Sequence, residues 1–150
     1  MKRGSNMPSK MHQMLVDLIG RKMHEKGYIP VAFDGRNYVA HGEQVHIPPR
    51  IGRHRPDVIG INIKTKVLCI GEAKTASDLS SERTREQLSD YANIMGITSR
   101  QRFELIIGIP KSAESALLTL MSRLVLKELP NVSYILLPEE LVESDREDFI

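Results

Sequence analysis

The sequence predicts an α/β fold, a mixed central sheet flanked by helices, with elements in the order α-β-β-β-α-β-α-β in one domain of 150 residues. Three observations carry this prediction. Apolar residues recur at helical spacing in three separate segments, and short runs rich in Val, Ile and Leu lie between those segments. The composition, 41% hydrophobic and 27% charged, is that of a globular domain large enough to bury one core.

The first predicted helix begins after Ser9, whose hydroxyl can cap the N terminus, and ends near residues 26–27. Its apolar positions lie on one face: Met11, Met14, Leu15, Leu18, Ile19 and Met23. The residues YIPVAF at 28–33 predict a strand. Residues 34–55 are rich in Gly, Pro, His and Arg without periodicity, which predicts a loop or an irregular ribbon.

Two apolar runs, at residues 57–63 and 67–74, are separated by few residues and predict an antiparallel hairpin. A helix over residues 81–95 follows the polar stretch TASDLSSE, and FELIIGIP predicts a buried strand. Ser112 can cap a helix that runs to Leu129, and VSYILLP predicts a last strand. Residues 1–8 predict a flexible arm, and the acidic residues 139–150 predict a short helix, a frayed end or an interaction segment.

The net charge of +2 is unevenly distributed along the chain. Residues 139–150 carry −5, which leaves +7 on residues 1–138 and favours a polyanionic partner. No apolar run approaches the ~18 residues of a membrane span, and the basic N terminus lacks the apolar segment of an export signal. With one cysteine, Cys69, disulfides within the chain and multi-cysteine zinc sites are excluded, so we expect an intracellular, cytoplasmic protein with no membrane partner.

Charged residues lie at one end of the predicted hairpin. Asp57 begins the first strand, and Glu72 and Lys74 are at the end of the second. Side chains alternate along a strand, so Glu72 and Lys74 share a face. Whether Asp57 joins them depends on the register. A two-residue loop at Thr65-Lys66 would place Asp57 opposite Lys74, whereas a loop with an odd number of residues would put Asp57 on the other face.

Two carboxylates and an ammonium at one end of a hairpin destabilise a fold unless each buried charge is paired. A structural ion pair is one interpretation, and a hydrolytic site is the one that we favour. Asp57 and Glu72 supply the oxygen ligands that magnesium prefers, and magnesium leaves coordination positions for phosphate oxygens. Lys74 can then help to activate a water or stabilise charge on the phosphoryl group.

The dipeptide Pro56-Asp57, followed after fourteen residues by Glu72-Ala73-Lys74, resembles the PD-(D/E)XK motif of the restriction-endonuclease-like nuclease superfamily. The predicted element order is similar to the αβββαβ core of that fold, with a C-terminal helix and strand added. Gln87 and Tyr91 in REQLSDY resemble the QxxxY helix signature of its RecB-like and archaeal junction-resolvase-like branches, and their i, i+4 spacing places both on one helix face.

The resemblance implies a role for each of these residues. Asp57 and Glu72 hold magnesium, for which manganese can substitute, together with the backbone carbonyl of Ala73. Gln87 orients the lysine or a phosphate, and Tyr91 supports the site or contacts the nucleic acid backbone. Taken without the neighbouring motif, Gln87 and Tyr91 are equally consistent with a solvated helix face.

The first helix departs from the family pattern. Nucleases of this superfamily commonly place a glutamate there, facing the site, whereas this chain offers His12, Gln13 and Asp17. We expect Gln13 or Asp17 to complete the metal site. A neutral ligand at this position would leave the site with less negative charge.

A basic stretch directly precedes the hairpin and contains Arg36, Arg50, Arg53 and Arg55. Phosphate contacts are the interpretation that we favour, against a loop that is merely solvated. The five histidines, His12, His24, His41, His46 and His54, lack the ligand spacing of a zinc helix, so we expect most of them to be exposed.

The sequence therefore predicts a magnesium-dependent nuclease, an endonuclease in our interpretation, that hydrolyses DNA phosphodiester bonds and acts as a homodimer. The second hypothesis is a nucleic-acid-binding or assembly protein that keeps the nuclease fold but is catalytically weak or inactive. The absence of an acid at the expected first-helix position would favour this second hypothesis.

Overall fold

This computed structural model describes residues 10–33, 38–40, 43–45, 54–97, 103–124 and 131–142, with the backbone alone for residues 38–40, 43–45 and 94–97. The helices are α1 (Lys10–Glu25), α2 (Ala76–Leu79), α3 (Glu82–Ile97) and α4 (Glu114–Arg123). The strands are β1 (Ile29–Phe33), β2 (Tyr38–Ala40), β3 (Glu43–Val45), β4 (Val58–Ile61), β5 (Leu68–Ala73), β6 (Phe103–Pro110) and β7 (Val132–Leu137).

Five strands form one sheet in the order β1-β4-β5-β6-β7. The β1–β4 and β4–β5 pairs are antiparallel, and the β5–β6 and β6–β7 pairs are parallel. The helical segments that follow β5 and β6 supply the long connections that parallel pairs require. This mixed sheet flanked by helices confirms the predicted α/β fold.

Two apolar layers cover the sheet, because successive side chains of each strand point to opposite faces. On one face, Leu15, Ile19 and Met23 of α1 join one buried cluster with Val58 and Cys69. On the other face, Leu88 and Tyr91 of α3 and Leu117 of α4 join a second cluster with Ile70 and Ile107. The central strand β5 is therefore buried on both sides.

Helix α1 packs closely on the sheet at glycine. A methyl group placed on Gly71 would lie 2.5 Å from Ile19 Cγ2, and one on Gly108 would lie 2.9 Å from Ile19 Cδ1. The helix ends where Gly27 adopts a φ of 95°, a left-handed conformation that favours glycine. Because these two strand positions have no side chain, α1 packs closely on β5 and β6, next to Glu72.

The hairpin of β4 and β5 differs from the predicted register by two residues. Val58 pairs with Gly71 and Ile61 with Leu68, so the connection has six residues, 62–67, rather than two. Asn62 accounts for the longer loop, because its side-chain oxygen accepts hydrogen bonds from the backbone N–H groups of Lys64 and Thr65. Both loops have an even number of residues, so the residues of the two strands keep their predicted faces, but Asp57, directly before β4, does not lie opposite Lys74 as predicted.

The segment predicted to be a loop or an irregular ribbon contains two paired strands, β2 and β3. Three further local predictions differ from the structure. The polar stretch before α3 contains α2, which Thr75 and Asp78 cap reciprocally. Ser112 lies in a 3-10 turn, Lys111–Ala113, and its hydroxyl donates to Glu139 instead of capping α4. In the described part of the chain, α4 ends at Arg123 rather than at the predicted Leu129.

Part of the acidic C-terminal segment is helical. Residues 139–142 form one helical turn, and Val142 is buried in the α1 cluster. Residues 143–150, the predicted arm 1–8 and the end of the predicted fourth helix lie outside the described residues. None of the helices in the described ranges is long and apolar enough to cross a membrane.

Candidate active site

The charged residues of the predicted motif meet where β5 ends. The backbone N–H of Asp57 donates to the Gly71 carbonyl at 3.1 Å, one residue off the β4–β5 register, in which Val58 pairs with Gly71. The backbone N–H of Lys74 donates to the Gly108 carbonyl at 2.9 Å, which holds the end of β5 against β6. Backbone bonds on both sides thus fix where these side chains leave the sheet.

Asp57 is held by a backbone donor. Its Oδ2 accepts a hydrogen bond of 2.8 Å from the N–H of Ala73, and its Oδ1 lies 3.5 Å from Nε2 of His12. The first contact joins the residue before β4 to the last residue of β5. One carboxylate oxygen is therefore committed to the backbone, and the other faces α1.

Glu72 is a buried carboxylate, with 1% of its surface exposed. Its Oε2 accepts hydrogen bonds from the Tyr91 hydroxyl at 2.8 Å and from Gln87 Nε2 at 3.1 Å. Its Oε1 lies 3.7 Å from Lys74 Nζ, which is an ion pair beyond hydrogen-bond distance. One oxygen is thus fixed by α3, and the other faces the lysine.

Gln87 bridges the two charged residues of β5. While its amide nitrogen donates to Glu72, its Oε1 accepts a hydrogen bond of 2.5 Å from Lys74 Nζ. Because Gln87 and Tyr91 are four residues apart on α3, both reach the same strand end. Gln87 thus joins the ammonium of Lys74 to the buried carboxylate of Glu72.

Tyr91 supports the site from the inside. Its side chain is 1% exposed, and its hydroxyl donates to Glu72. Of the two roles considered for this residue, support of the site matches this geometry. A side chain buried in this way does not reach a nucleic acid backbone.

Simultaneous negative charges on Asp57 and Glu72 are electrostatically unfavourable. Burial, together with the adjacent charge of Asp57, raises the pKa of Glu72 well above its ordinary value. A hydrogen bond with Asp57 raises the pKa of His12. Lys74 lies beside Glu72 and His12 beside Asp57, so each carboxylate has one basic side chain next to it.

The first helix contributes His12, which differs from the predicted Gln13 or Asp17. Gln13 is exposed, and Asp17 is exposed in a groove lined by Arg21 and Leu137. Helical spacing explains the difference, since His12 lies three and seven residues before the fully buried positions Leu15 and Ile19. That period was visible in the sequence and indicates that His12 lies on the sheet-facing side of α1.

The predicted basic segment is described only at its end. Arg55 is exposed, whereas Arg36, Arg50 and Arg53 lie outside the described residues. We expected most of the histidines to be exposed, but the neighbouring His54 is partly buried. Its Nε2 lies 2.6 Å from Asp90 Oδ2 on α3. No local pattern predicts this pair, because the two residues are separated by 36 positions in the chain.

The carboxylates of the site form a donor set for a divalent metal ion. Among the residues that the structure describes, no three His, Cys, Asp or Glu side chains are arranged to hold a metal ion by themselves. Asp57 and Glu72 nevertheless provide two neighbouring carboxylates, one of them buried with its Oε1 beyond hydrogen-bond distance of the nearest ammonium. This donor set fits magnesium, which binds through one or two carboxylates with water and phosphate oxygens in the other positions.

Comparison with known proteins gives one structural similarity. No protein-family model matches the chain, and no curated protein matches it. The chain is similar to the crystal structure of a repair endonuclease from Pyrococcus abyssi, with a TM-score of 0.46 and 13% sequence identity. The similarity covers 87% of this chain and 47% of that chain, so this chain spans about half the length of the solved structure.

Proposed function

We propose that the protein is a metal-dependent nuclease that hydrolyses DNA phosphodiester bonds, with a PD-(D/E)XK site formed by Asp57, Glu72 and Lys74. The observation that carries this proposal is the convergence of two carboxylates and an ammonium at one buried strand end, joined by Gln87. Removing charges from water lowers stability unless they are well paired, so such a cluster is better explained by chemistry than by folding.

In this proposal the carboxylates and the lysine have different roles in hydrolysis. A magnesium or manganese ion bound by Asp57 and Glu72 would polarise the phosphoryl group and make a bound water more acidic. The Ala73 carbonyl is a further candidate ligand, and the imidazole of His12 is another. Lys74, whose Nζ is held by Gln87, stabilises negative charge on the phosphoryl oxygens or helps to orient the attacking water.

The surroundings of the site support nucleic acid as the substrate. The exposed Arg55 lies two residues before Asp57 in the sequence, and Arg50 and Arg53 are close to it in the chain. Arginine side chains bind phosphate through paired hydrogen bonds, and phosphate contacts supply much of the affinity for DNA. We further propose endonuclease action by a homodimer, since cutting two strands of a symmetric substrate requires two sites.

The decisive experiment is cleavage of supercoiled and branched DNA in magnesium and in manganese. We expect the wild type to cut and Lys74→Ala to lose about 100-fold or more in rate, because an electrostatic stabiliser of the transition state is removed. Lys64→Ala is the matched control, since it removes an exposed lysine from the opposite end of the same hairpin. Both variants are compared at equal folded fraction.

Two results would contradict the proposal. If Lys74→Ala cuts as fast as Lys64→Ala, the lysine has no part in the chemistry. If the wild type binds DNA but cuts neither substrate in either metal, the protein is a binding or assembly module with a nuclease-like fold. His12 lies on the helix where nucleases of this superfamily carry an acid, so it would then be the first residue to substitute.

A further inference from the structure

His54 makes two contacts with α3 that the proposed chemistry does not use. Its Nε2 lies 2.6 Å from Oδ2 of Asp90, and its ring meets the ring of Tyr91 edge to face, with centroids 5.9 Å apart and planes at 72°. Both contacts come from a residue just before the hairpin. The segment before β4 is thereby attached to the helix that orients Glu72 and Lys74.

The contact between His54 and Asp90 is largely shielded from water. The His54 side chain is 10% exposed and the Asp90 side chain 30%. An ionised carboxylate can only accept, so Nε2 of His54 is the donor in this bond. A short bond to a charged acceptor, away from solvent, is worth more than an exposed ion pair such as Glu82 with Arg85 on the same helix.

Tyr91 connects this pair to the candidate metal site. The ring of His54 packs against the same ring whose hydroxyl donates to Glu72 Oε2. Asp90 directly precedes Tyr91 and lies three residues after Gln87, so the backbone that carries Asp90 also carries both residues that hold Glu72. A displacement of His54 would therefore reach the buried carboxylate through one aromatic ring.

The residues next to His54 in the chain are proposed to contact phosphate. Arg55 follows His54 directly and is exposed, and Arg53 precedes it. His54 thus lies between two arginines that are proposed to bind DNA, and it contacts the helix that holds Glu72. A fixed attachment at this point determines how a bound phosphate is aligned with Asp57 and Glu72.

We infer that His54 and Asp90 form a positioning pair, which holds Tyr91 against Glu72 and aligns Arg55 with the candidate metal site. The inference rests on the proposed nuclease function and extends it to two residues outside the PD-(D/E)XK motif. The pair acts on the rate of cutting through Tyr91 and Glu72, while the arginines supply the binding to DNA.

Substitutions can separate the two contacts of His54. His54→Phe keeps a ring against Tyr91 and removes the donor, whereas His54→Gln keeps an N–H donor and removes the ring. Asp90→Ala removes the acceptor. Tyr28→Phe is the control, because it removes another partly buried side-chain hydrogen bond, 2.7 Å from Tyr28 to Glu104, at the end of β5 away from the site.

The experiment measures kcat and KM for DNA by cleavage and the half-saturating magnesium concentration by metal-induced shifts in melting temperature, with each variant at equal folded fraction. We expect His54→Phe and Asp90→Ala each to lower kcat by about 10-fold or more and to raise the magnesium requirement, as substitutions behind a metal ligand do. KM should stay within about twofold, because phosphate contacts are retained. His54→Gln should recover part of the rate.

The double variant gives a second readout. If the bond between the two residues is what matters, Asp90→Ala combined with His54→Phe should lose no more rate than either substitution alone. Rates equal to that of Tyr28→Phe, additive losses, or a raised KM with unchanged kcat would each overturn the positioning role. A wild type that neither cuts DNA nor responds to metal would instead remove the proposed function, and this inference with it.

Discussion

At the scale of single residues, Glu72 and Lys74 are placed where their charges interact with each other more than with solvent. Glu72 is 1% exposed, and Tyr91 and Gln87 both donate to one of its oxygens. Fixed donors of this kind keep a side chain in one rotamer, which is the property that a metal ligand or a catalytic group requires. The same arrangement makes the ionised carboxylate destabilising when no cation balances it.

Glu72→Gln is expected to raise the melting temperature at about pH 8 in the presence of a chelator. The pKa of Glu72 is higher in the folded protein than in the unfolded chain, because burial and Asp57 disfavour its charge. The contribution of Glu72 to stability is therefore full below its unfolded pKa and is lost as the pH rises through the folded pKa. Glutamine has no such loss, so thermal unfolding across pH should show the two proteins diverging as the pH rises.

The effect of magnesium on the melting temperatures of the same two proteins gives a second prediction. Added metal should raise the melting temperature of the wild type and leave that of Glu72→Gln unchanged, since the variant lacks one of the two proposed carboxylate ligands. A variant that is less stable than the wild type at high pH without metal would show that the ionised carboxylate stabilises the fold, which contradicts the electrostatic interpretation.

His12 leads to a prediction about metal preference. Imidazole ligands suit later transition metals, whereas carboxylates suit magnesium and manganese. If His12 helps to hold the metal, His12→Glu should lower the half-saturating magnesium concentration by about 10-fold, in the range by which ligand changes alter metal affinity. Metal-induced shifts in melting temperature can measure this without cleavage. His24→Glu, which places the same acid at an exposed position of α1, is the control.

At the scale of secondary-structure elements, the approach of α1 to β5 determines which helix residue reaches the site. Gly71 allows Ile19 and Met23 to lie directly on the strand. The N-terminal turn of α1 consequently ends beside Asp57, where His12 is 3.5 Å from Oδ1. A glycine in a strand is usually a weakness, and here it serves a close contact between two elements.

Gly71→Ala is expected to destabilise the protein by about 1–3 kcal/mol, the usual result of overpacking a core. The added methyl group would lie 2.5 Å from Ile19 Cγ2 and 2.9 Å from Met23 Cε, so α1 must shift. For a chain of this length, the melting temperature should fall by about 2–4 °C for each kcal/mol. Chemical denaturation provides an independent measurement.

The control for this substitution is Gly20→Ala, within α1. A methyl group there would meet the Phe33 ring at 3.4 Å, which is ordinary contact, and alanine favours a helix over glycine by about 1 kcal/mol. We therefore expect Gly20→Ala to be neutral or stabilising. Equal stability of the two alanine variants would mean that α1 is free to move away from β5.

At the scale of the whole molecule, the charge distribution favours a polyanion. Residues 1–138 carry +7 and residues 139–150 carry −5. Binding to DNA should therefore weaken steeply as the salt concentration rises, because each phosphate contact releases counterions. This property belongs to the protein as a whole and does not depend on the chemistry at Glu72.

Arg55→Gln should weaken DNA binding at every sequence and reduce the slope of log K against log salt by about 0.9, the value for one phosphate contact on duplex DNA. Arg123→Gln is the control, since Arg123 is also exposed but lies at the end of α4. Fluorescence anisotropy at several salt concentrations measures both slopes. An unchanged slope for Arg55→Gln would remove Arg55 from the interface.

The sequence by itself determined the elements and the face on which the charged residues lie. The 3.6-residue period of α1, the length and composition of β6 and the alternation along the hairpin are local properties, so they survive errors in loop length. The predicted two-residue loop was wrong, yet the residues of both strands keep their predicted faces because six and two are both even. The motif residues were found in the same way, from spacing along one hairpin and one helix.

Only the tertiary structure decided which distant residues complete the site. His12 meets Asp57 because α1 packs on one face of the sheet, and His54 meets Asp90 because α3 packs on the other. These contacts depend on how closely two elements approach, which is governed by side-chain volumes such as the missing methyl group at Gly71. A sequence pattern records the orientation of a residue within its own element, but the partner it meets is determined by packing between elements.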